Sequence, residues 1–291
     1  MSEGRLRLRE RDVAIVEAVH RLCVLSTEQI AQLFFPTRQS RVSTACRARL
    51  RRLADAGLLE RGEQEQTRSD GRRPLLYMLT EGGAQLLLDE LGMEPENIDW
   101  KPSYNSVRWP FLRHQLAIND AYVAFSLAAP RIGWSLDTWT DDRILRVMHT
   151  DRVRIPGYSQ PVAVVPDAYF RLVGPGGRPE MHFFLEIDRA TMTVAAKSHL
   201  VKSWQDKIRA YQEYFREGKV KERYGTDKVR VMTTTTGPGR LANLKAATEE
   251  LGAKGRYWFA EHSTLSADTV LVSPIWQRAG VSGTLELVSA P

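Results

Sequence analysis

The sequence predicts a mixed α/β protein in two parts, and three observations lead there. Residues 9–91 alternate helical periodicity with a single β-hairpin pattern. Residues 92–110 lack periodicity and hold Pro95, Pro102 and Pro110. Residues 111–259 run helix, strands, helix, strand, helix, strand, the order of a mixed sheet flanked by helices. The division is therefore 1–92, a connection over 93–110, and 111–291, and a chain of 291 residues is long enough for two modest domains.

Composition narrows the class. It is that of an ordinary soluble globular protein. There is no run of about 18 apolar residues, and Met1–Glu10 is polar and Arg-rich rather than a signal peptide. A cytoplasmic protein with no membrane partner is expected. Cys23 and Cys46 fall in helical patterns and read as small core hydrophobes, and no Cys/His cluster has zinc spacing. The net charge of +6 fits a partner that carries phosphates.

The first part opens with a helix over Arg9–Val24. Ser26-Thr27-Glu28-Gln29 is a capping box that starts a short second helix, stopped at Phe35-Pro36. A third helix begins near Ser40, buries Val42, Cys46, Leu50 and Leu53, and ends at Ala56-Gly57. Arg41, Arg47, Arg51 and Arg52 point away from that stripe or flank it, with only Asp55 among acids, whereas a merely solvated face mixes signs. A hairpin follows, Leu58–Arg61 and Leu75–Leu79, whose tip carries Arg68, Arg72 and Arg73, and then a helix over Ala84–Leu91. Three helices, a hairpin and a closing helix resemble the winged helix-turn-helix family, carried by Leu53-Ala54-Asp55-Ala56-Gly57-Leu58-Leu59-Glu60-Arg61 and Tyr77-Met78-Leu79-Thr80-Glu81-Gly82-Gly83. The resemblance implies double-stranded DNA as partner, read by the third helix and flanked by the wing arginines. Winged helices also serve as protein–protein modules, so an adaptor or transcriptional regulator stays open, as does a homodimer on a palindromic site.

In the second part, Phe111–Ala128 reads as a helix and residues 132–139 as a strand. His114 is a boundary histidine or part of a site, and Asp141-Asp142 is a turn or cap, or lends an acid to a site. Val162–Leu172 and Met181–Asp188 form a hairpin around Gly174-Pro175-Gly176-Gly177. Strand alternation sets Glu186 and Asp188 on one face, and the hairpin register brings Asp167 beside them. Three carboxylates repel, and Mg²⁺, or Mn²⁺ in its place, would relieve the repulsion with Asp167, Glu186 and Asp188 as ligands. The alternative is an ion network at the sheet end. A long helix over Ala195–Arg216 puts Leu200, Trp204, Ile208 and Tyr211 in the core, with Lys197, Lys202, Lys207 and Arg209 on its other faces. A strand over 228–235, a helix over 240–251, a strand over 257–259 and a last strand over 269–273 complete the order. Thr236-Gly237-Pro238-Gly239-Arg240 sits between strand and helix but lacks the Gly-Lys-Ser/Thr ending of a phosphate loop.

Pro166-Asp167 and Glu186 resemble the acids of the PD-(D/E)XK nuclease fold. That motif has a lysine two residues after the second acid, and this chain has Asp188 there. Some members supply the lysine from the following helix, for which Lys207 is the candidate. The resemblance implies catalytic roles for Asp167, Glu186 and Lys207. Taken whole, the winged helix followed by Pro-Asp-Ala, Phe-Leu-Glu-Ile-Asp-Arg and Trp-X-X-Lys-Ile-X-X-Tyr is similar to the replication-relaxation family. That similarity implies a DNA-binding protein of plasmids or other mobile elements, acting in replication, relaxation or mobilisation with other proteins of those processes. The alternative it leaves open is an active Mg²⁺-dependent DNA endonuclease or nickase.

Overall fold

A computed structural model describes residues 6–36, 42–64, 73–94, 96, 98, 100–106, 109–148, 150–195 and 203–288. Internal contacts divide the chain into two units, 1–123 and 124–291.

In the first unit, α1 (Glu10–Leu22) is shorter than the predicted helix. Cys23 takes a positive φ of 65°, and Val24–Ser26 forms a strand, β1. Helical periodicity loses here to strand pairing, because β1 runs antiparallel to β3 (Leu76–Leu79) with Val24 opposite Met78. Asn119 then donates to the carbonyls of Leu22 and Val24, at 3.1 and 2.6 Å, covering acceptors that the helix end leaves unpaired. The capping box of α2 (Thr27–Phe34) is as predicted, with Gln29 N donating to Ser26 Oγ at 3.1 Å and Ser26 N to Gln29 Oε1 at 2.9 Å. α3 (Thr44–Asp55) starts after Ser43, whose hydroxyl accepts from Cys46 N; the predicted start at Ser40 lies outside the described residues. Its buried residues are Cys46, Leu50 and Leu53. Gly57 at φ +71° turns the chain out of the helix into β2 (Leu59–Gly62), and the sheet order is β1-β3-β2. α4 (Glu81–Leu91) is capped by Thr80. α5 (Trp109–Ala128) contains the boundary between units, and its Leu112 and Leu116 pack on Val24, Leu76 and Met78. The boundary thus falls beyond the aperiodic stretch 93–110.

In the first turn of α1, Asp12 is fully buried and takes both Nε and Nη2 of Arg49 on its two oxygens, and it also accepts from Arg9 N. Burial alone would raise this carboxyl, but Arg49 and the Arg9 amide hold it below its ordinary value.

The second unit is built on a sheet of six strands in the order β11-β10-β9-β8-β7-β4. The elements are β4 (Ser135–Asp141), α6 (Asp142–Met148), β5 (Asp151–Val153), β6 (Val162–Val164), β7 (Ala168–Val173) and β8 (Met181–Ile187). They continue as α7 (Trp204–Arg216), α8 (Lys219–Tyr224), β9 (Val229–Thr235), α9 (Pro238–Glu250), β10 (Tyr257–Glu261) and β11 (Gln277–Arg278). β4, β7 and β8 pair antiparallel; β8, β9 and β10 pair parallel; β11 closes the edge antiparallel. On one face Tyr169, Phe184 and Val231 pack under Trp204, Ile208, Tyr211 and Tyr214 of α7 and Leu241 and Leu244 of α9. On the other, Phe170 stacks on Phe183 at 4.7 Å and meets Phe125 of α5 at 4.6 Å. A mixed sheet flanked by helices is therefore the architecture.

Three expectations change. Val162–Leu172 is not one strand: β6 pairs with β5 in a separate two-stranded sheet, and Pro166, which has no N–H for a ladder, separates it from β7. The long helix begins at Trp204, where Ser203 and Asp206 form a capping box, and residues 196–202 lie outside the described part. Residues 269–273 form turns; Val270 and Leu271 are buried from there, and the last strand is β11. Among the described residues no helix is long and apolar enough to cross a membrane.

Breaking a buried ion pair by removing one partner costs about 3 kcal/mol or more. Asp12→Ala is therefore expected to lower the unfolding free energy of the first unit by about that amount in urea titration, whereas Asp55→Ala, an exposed partner of Arg51, changes it by less than about 0.5 kcal/mol.

Candidate functional site

In the first unit the third-helix arginines sort by angle. Cys46, Leu50 and Leu53 face inward, and Arg47, Arg51 and Arg52 are exposed on the side away from them. Arg51 lies 3.8 Å from Asp55 one turn later, both well exposed, a contact too solvated to hold the guanidinium in place. Arg49 takes no part in that surface, since it is turned onto Asp12. Arg73 is half-buried at the base of the hairpin tip. Arg41, Arg68 and Arg72 lie outside the described residues.

In the second unit the two predicted acids meet. Ala168 pairs with Leu185, so Asp167 and Glu186 stand one step further along the same ladder and on the same face. Asp167 N donates to Leu185 O at 3.0 Å, and Ile187 N donates to Asp167 Oδ2 at 2.6 Å. Glu186 is 1% exposed beneath α7. Lys207 donates to Glu186 Oε2 and the Tyr211 hydroxyl to Oε1. Lys207 and Tyr211 are four residues apart, one helical turn, which is why both reach the same carboxylate. The lysine was predicted for this place; Tyr211 was assigned to the core alone, though its spacing from Lys207 was the available signal.

Asp188 sits past the end of β8 in a different set of contacts. Its carboxylate accepts from Arg240 Nε at 2.9 Å and Nη2 at 2.8 Å, and from the Thr235 hydroxyl at 2.6 Å. Arg240 also donates to Met192 O, and Ala190 follows Asp188 with a positive φ of 57°. Among the described residues no group of three or more His, Cys, Asp or Glu side chains converges as a metal cluster. The donors facing one another are Asp167 and Glu186, with Asp188 clamped by the guanidinium. Arg240 was visible in sequence only as part of the Gly-Pro-Gly-Arg stretch. Asp141 keeps its role as a cap, accepting from Ile144 N at 3.1 Å at the start of α6, and its pairing with Ala168 puts it on the face away from Glu186.

The charges shift one another. Burial pushes the Glu186 carboxyl up to about 7; the Lys207 ammonium pulls it down and Asp167 pushes it up. Burial would lower Lys207, but Glu186 and Asp167 outweigh that and hold it above its ordinary value. Burial, then the charge of Glu186, drives the Tyr211 hydroxyl well above its own. For Asp188, burial raises and Arg240 and Thr235 more than offset it, leaving the carboxyl low. The result is a carboxyl raised toward neutrality beside a cation and a second acid.

The fold and this site define a mixed α/β chain with a buried carboxylate–lysine centre at the carboxyl end of a central strand. The replication-relaxation family matches residues 16–229, more than half of the chain, and the protein belongs to that family. Membership points to a role in replication or relaxation of mobile elements. Neither the curated proteins nor the solved structures gave a match.

Between its ordinary 4.5 and about 7, Glu186 ionises in the unfolded chain while the folded chain keeps its proton. This carboxyl therefore lowers stability as pH rises across that window. Glu186→Gln is expected to flatten that part of the stability–pH curve, measured by urea unfolding at a series of pH values.

Proposed function

We propose that this protein binds duplex DNA during replication, relaxation or mobilisation of a plasmid or other mobile element. The first unit reads as a winged helix that meets DNA through α3. The observation that carries this reading is the exposure of Arg47, Arg51 and Arg52 on a helix whose opposite side is buried in the unit's core. Guanidinium groups held that way suit phosphates and base edges of a major groove. The second unit reads as a PD-(D/E)XK-like domain.

A second reading, metal-dependent cleavage of a phosphodiester, is favoured by one contact: Lys207 from α7 reaches Glu186, the second acid of the motif. Asp167 and Glu186 are oxygen donors whose mutual repulsion a divalent cation would offset, so they fit Mg²⁺ or Mn²⁺ as ligands. Such an ion supplies an activated water and neutralises charge on the phosphate under attack. Lys207 holds positive charge next to the reacting phosphate and orients it. Tyr211 keeps Glu186 aimed. Asp188, neutralised by Arg240, fixes the strand end and is not needed as a ligand.

Two experiments test the readings separately. The double variant Arg47→Ala, Arg51→Ala is expected to weaken duplex binding, read by fluorescence anisotropy, and to reduce the slope of log affinity against log salt by about two units. Unchanged affinity removes α3 from DNA binding. Wild-type protein with Mg²⁺ is expected to nick supercoiled plasmid, and Glu186→Gln and Lys207→Ala to lose about a hundredfold or more in rate. Equal nicking by all three would assign the activity to a contaminant.

A further inference from the structure

On the sheet face opposite Glu186, two arginines flank Trp258 without a counter-charge among the described residues. Arg230 lies on β9 opposite Phe183 of β8, and Arg278 lies on β11 opposite Trp258 of β10. The guanidinium carbon of Arg230 is 5.1 Å from the centre of the Trp258 ring and 5.9 Å from that of Phe183. That of Arg278 is 5.7 Å from the same Trp258 ring. Trp258 is itself buried and fixed by its indole N–H, which donates to Gly255 O at 3.0 Å. Both guanidinium groups therefore rest on one immobile aromatic plane.

One nitrogen of each is not satisfied. Arg230 Nη1 and Arg278 Nε are shut off from solvent and have no hydrogen-bond partner among the described residues. Nor does either arginine form an ion pair with any described carboxylate, although arginines elsewhere in this unit have such partners in Asp137, Asp151 and Asp188. Burial and the neighbouring Arg278 charge push Arg230 down from its ordinary value, with no acid opposing them. A stack on Trp258 explains the orientation of the two groups but leaves Arg230 Nη1 and Arg278 Nε without a partner among the described residues. Two forked, positively charged groups, each within 6 Å of the centre of one rigid ring, suit a tetrahedral oxyanion, which takes bidentate hydrogen bonds from arginine.

We infer that Arg230 and Arg278, seated on Trp258, form a phosphate-binding site on the face of the sheet away from the carboxylate–lysine centre. It takes a single phosphate group, either free or as a phosphodiester of a nucleic-acid strand. The site rests on neither reading given under Proposed function, since it shares no residue with α3 or with Glu186.

The test uses the full chain in a buffer whose ionic strength is held constant with chloride. Inorganic phosphate is titrated while thermal unfolding and the Arg side-chain Nε–Hε resonances are followed. Wild-type protein is expected to show a saturable rise in Tm and shifts of two Nε–Hε signals, assigned to Arg230 and Arg278 by their loss in the variants. Arg278→Gln is expected to weaken phosphate binding at least about tenfold. It should also raise Tm in the phosphate-free buffer, because it removes the repulsion between two unpaired cations. A merely structural stack predicts the reverse: Arg278→Gln lowers Tm in both buffers and phosphate acts no differently from chloride, and that result overturns the site. Should Arg230→Gln not fold, Arg278→Lys, which keeps charge and stem but loses the fork, is expected to fall between wild type and Arg278→Gln. A short oligo-dT strand separates the two sources. If Arg278→Gln weakens both phosphate and oligo-dT, the ligand is a phosphodiester; if only phosphate, it is the free anion. Retention of both by Arg278→Gln overturns the inference.

Discussion

The second unit turns on one contact, the carboxylate of Glu186 held under α7 by Lys207 and Tyr211. Withdrawing a carboxylate from water costs several kcal/mol even after relaxation, and the Lys207 ammonium, itself half-buried, returns part of it. Two apolar side chains of the same volume would hold α7 on β8 as well or better, so stability alone does not explain a charge in that place. The contact also sets the helix in one register. Lys207 and Tyr211 approach from successive turns, with Ile208 and Trp204 filling the core between them and the sheet. Sliding α7 by a residue would unpair the carboxylate and expose the aromatic side chains together.

Arginine does two jobs in this chain, and burial of its partner separates them. Arg49 and Arg240 each close on a buried aspartate, Asp12 and Asp188, and through it tie distant segments: α3 to the start of α1, and the start of α9 to the end of β8. These pairs fix backbone. Arg47, Arg51 and Arg52 have no such anchor among the described residues, and Arg51 alone meets an acid there, the exposed Asp55. The net positive charge of the chain says nothing about this division; the partner's depth does.

Much of the architecture could be read from the residues. The capping box at Ser26 and Gln29, the glycine exit at Gly57 and the apolar stripe of α3 are local patterns, and local patterns survive folding. Arg49 was passed over, although it stands three residues after Cys46 and four before Leu53, beside the buried stripe, where a charge demands a partner. β1 was not legible, because Val24–Ser26 becomes a strand through Leu76–Met78, some fifty positions away. The clamp of Arg240 on Asp188 escaped for the same reason, since it depends on a parallel crossover that brings the start of α9 to the end of β8. The pairing of Asp167 with Glu186 was reached from strand alternation and a turn, and Lys207 only by analogy with a motif.

Asp167 leaves a mark on the sheet beyond its place beside Glu186. Its carbonyl accepts from Asp142 N, and the amide of Ile187 is met by the aspartate's own side chain. Asp167 is thus a splice as well as a ligand candidate: one of its oxygens completes the hem of the sheet. Trimming it to alanine would fray the fabric at the same moment as it emptied the pocket of an acid, whereas asparagine, which retains an acceptor, would mend the hem and alter the charge alone.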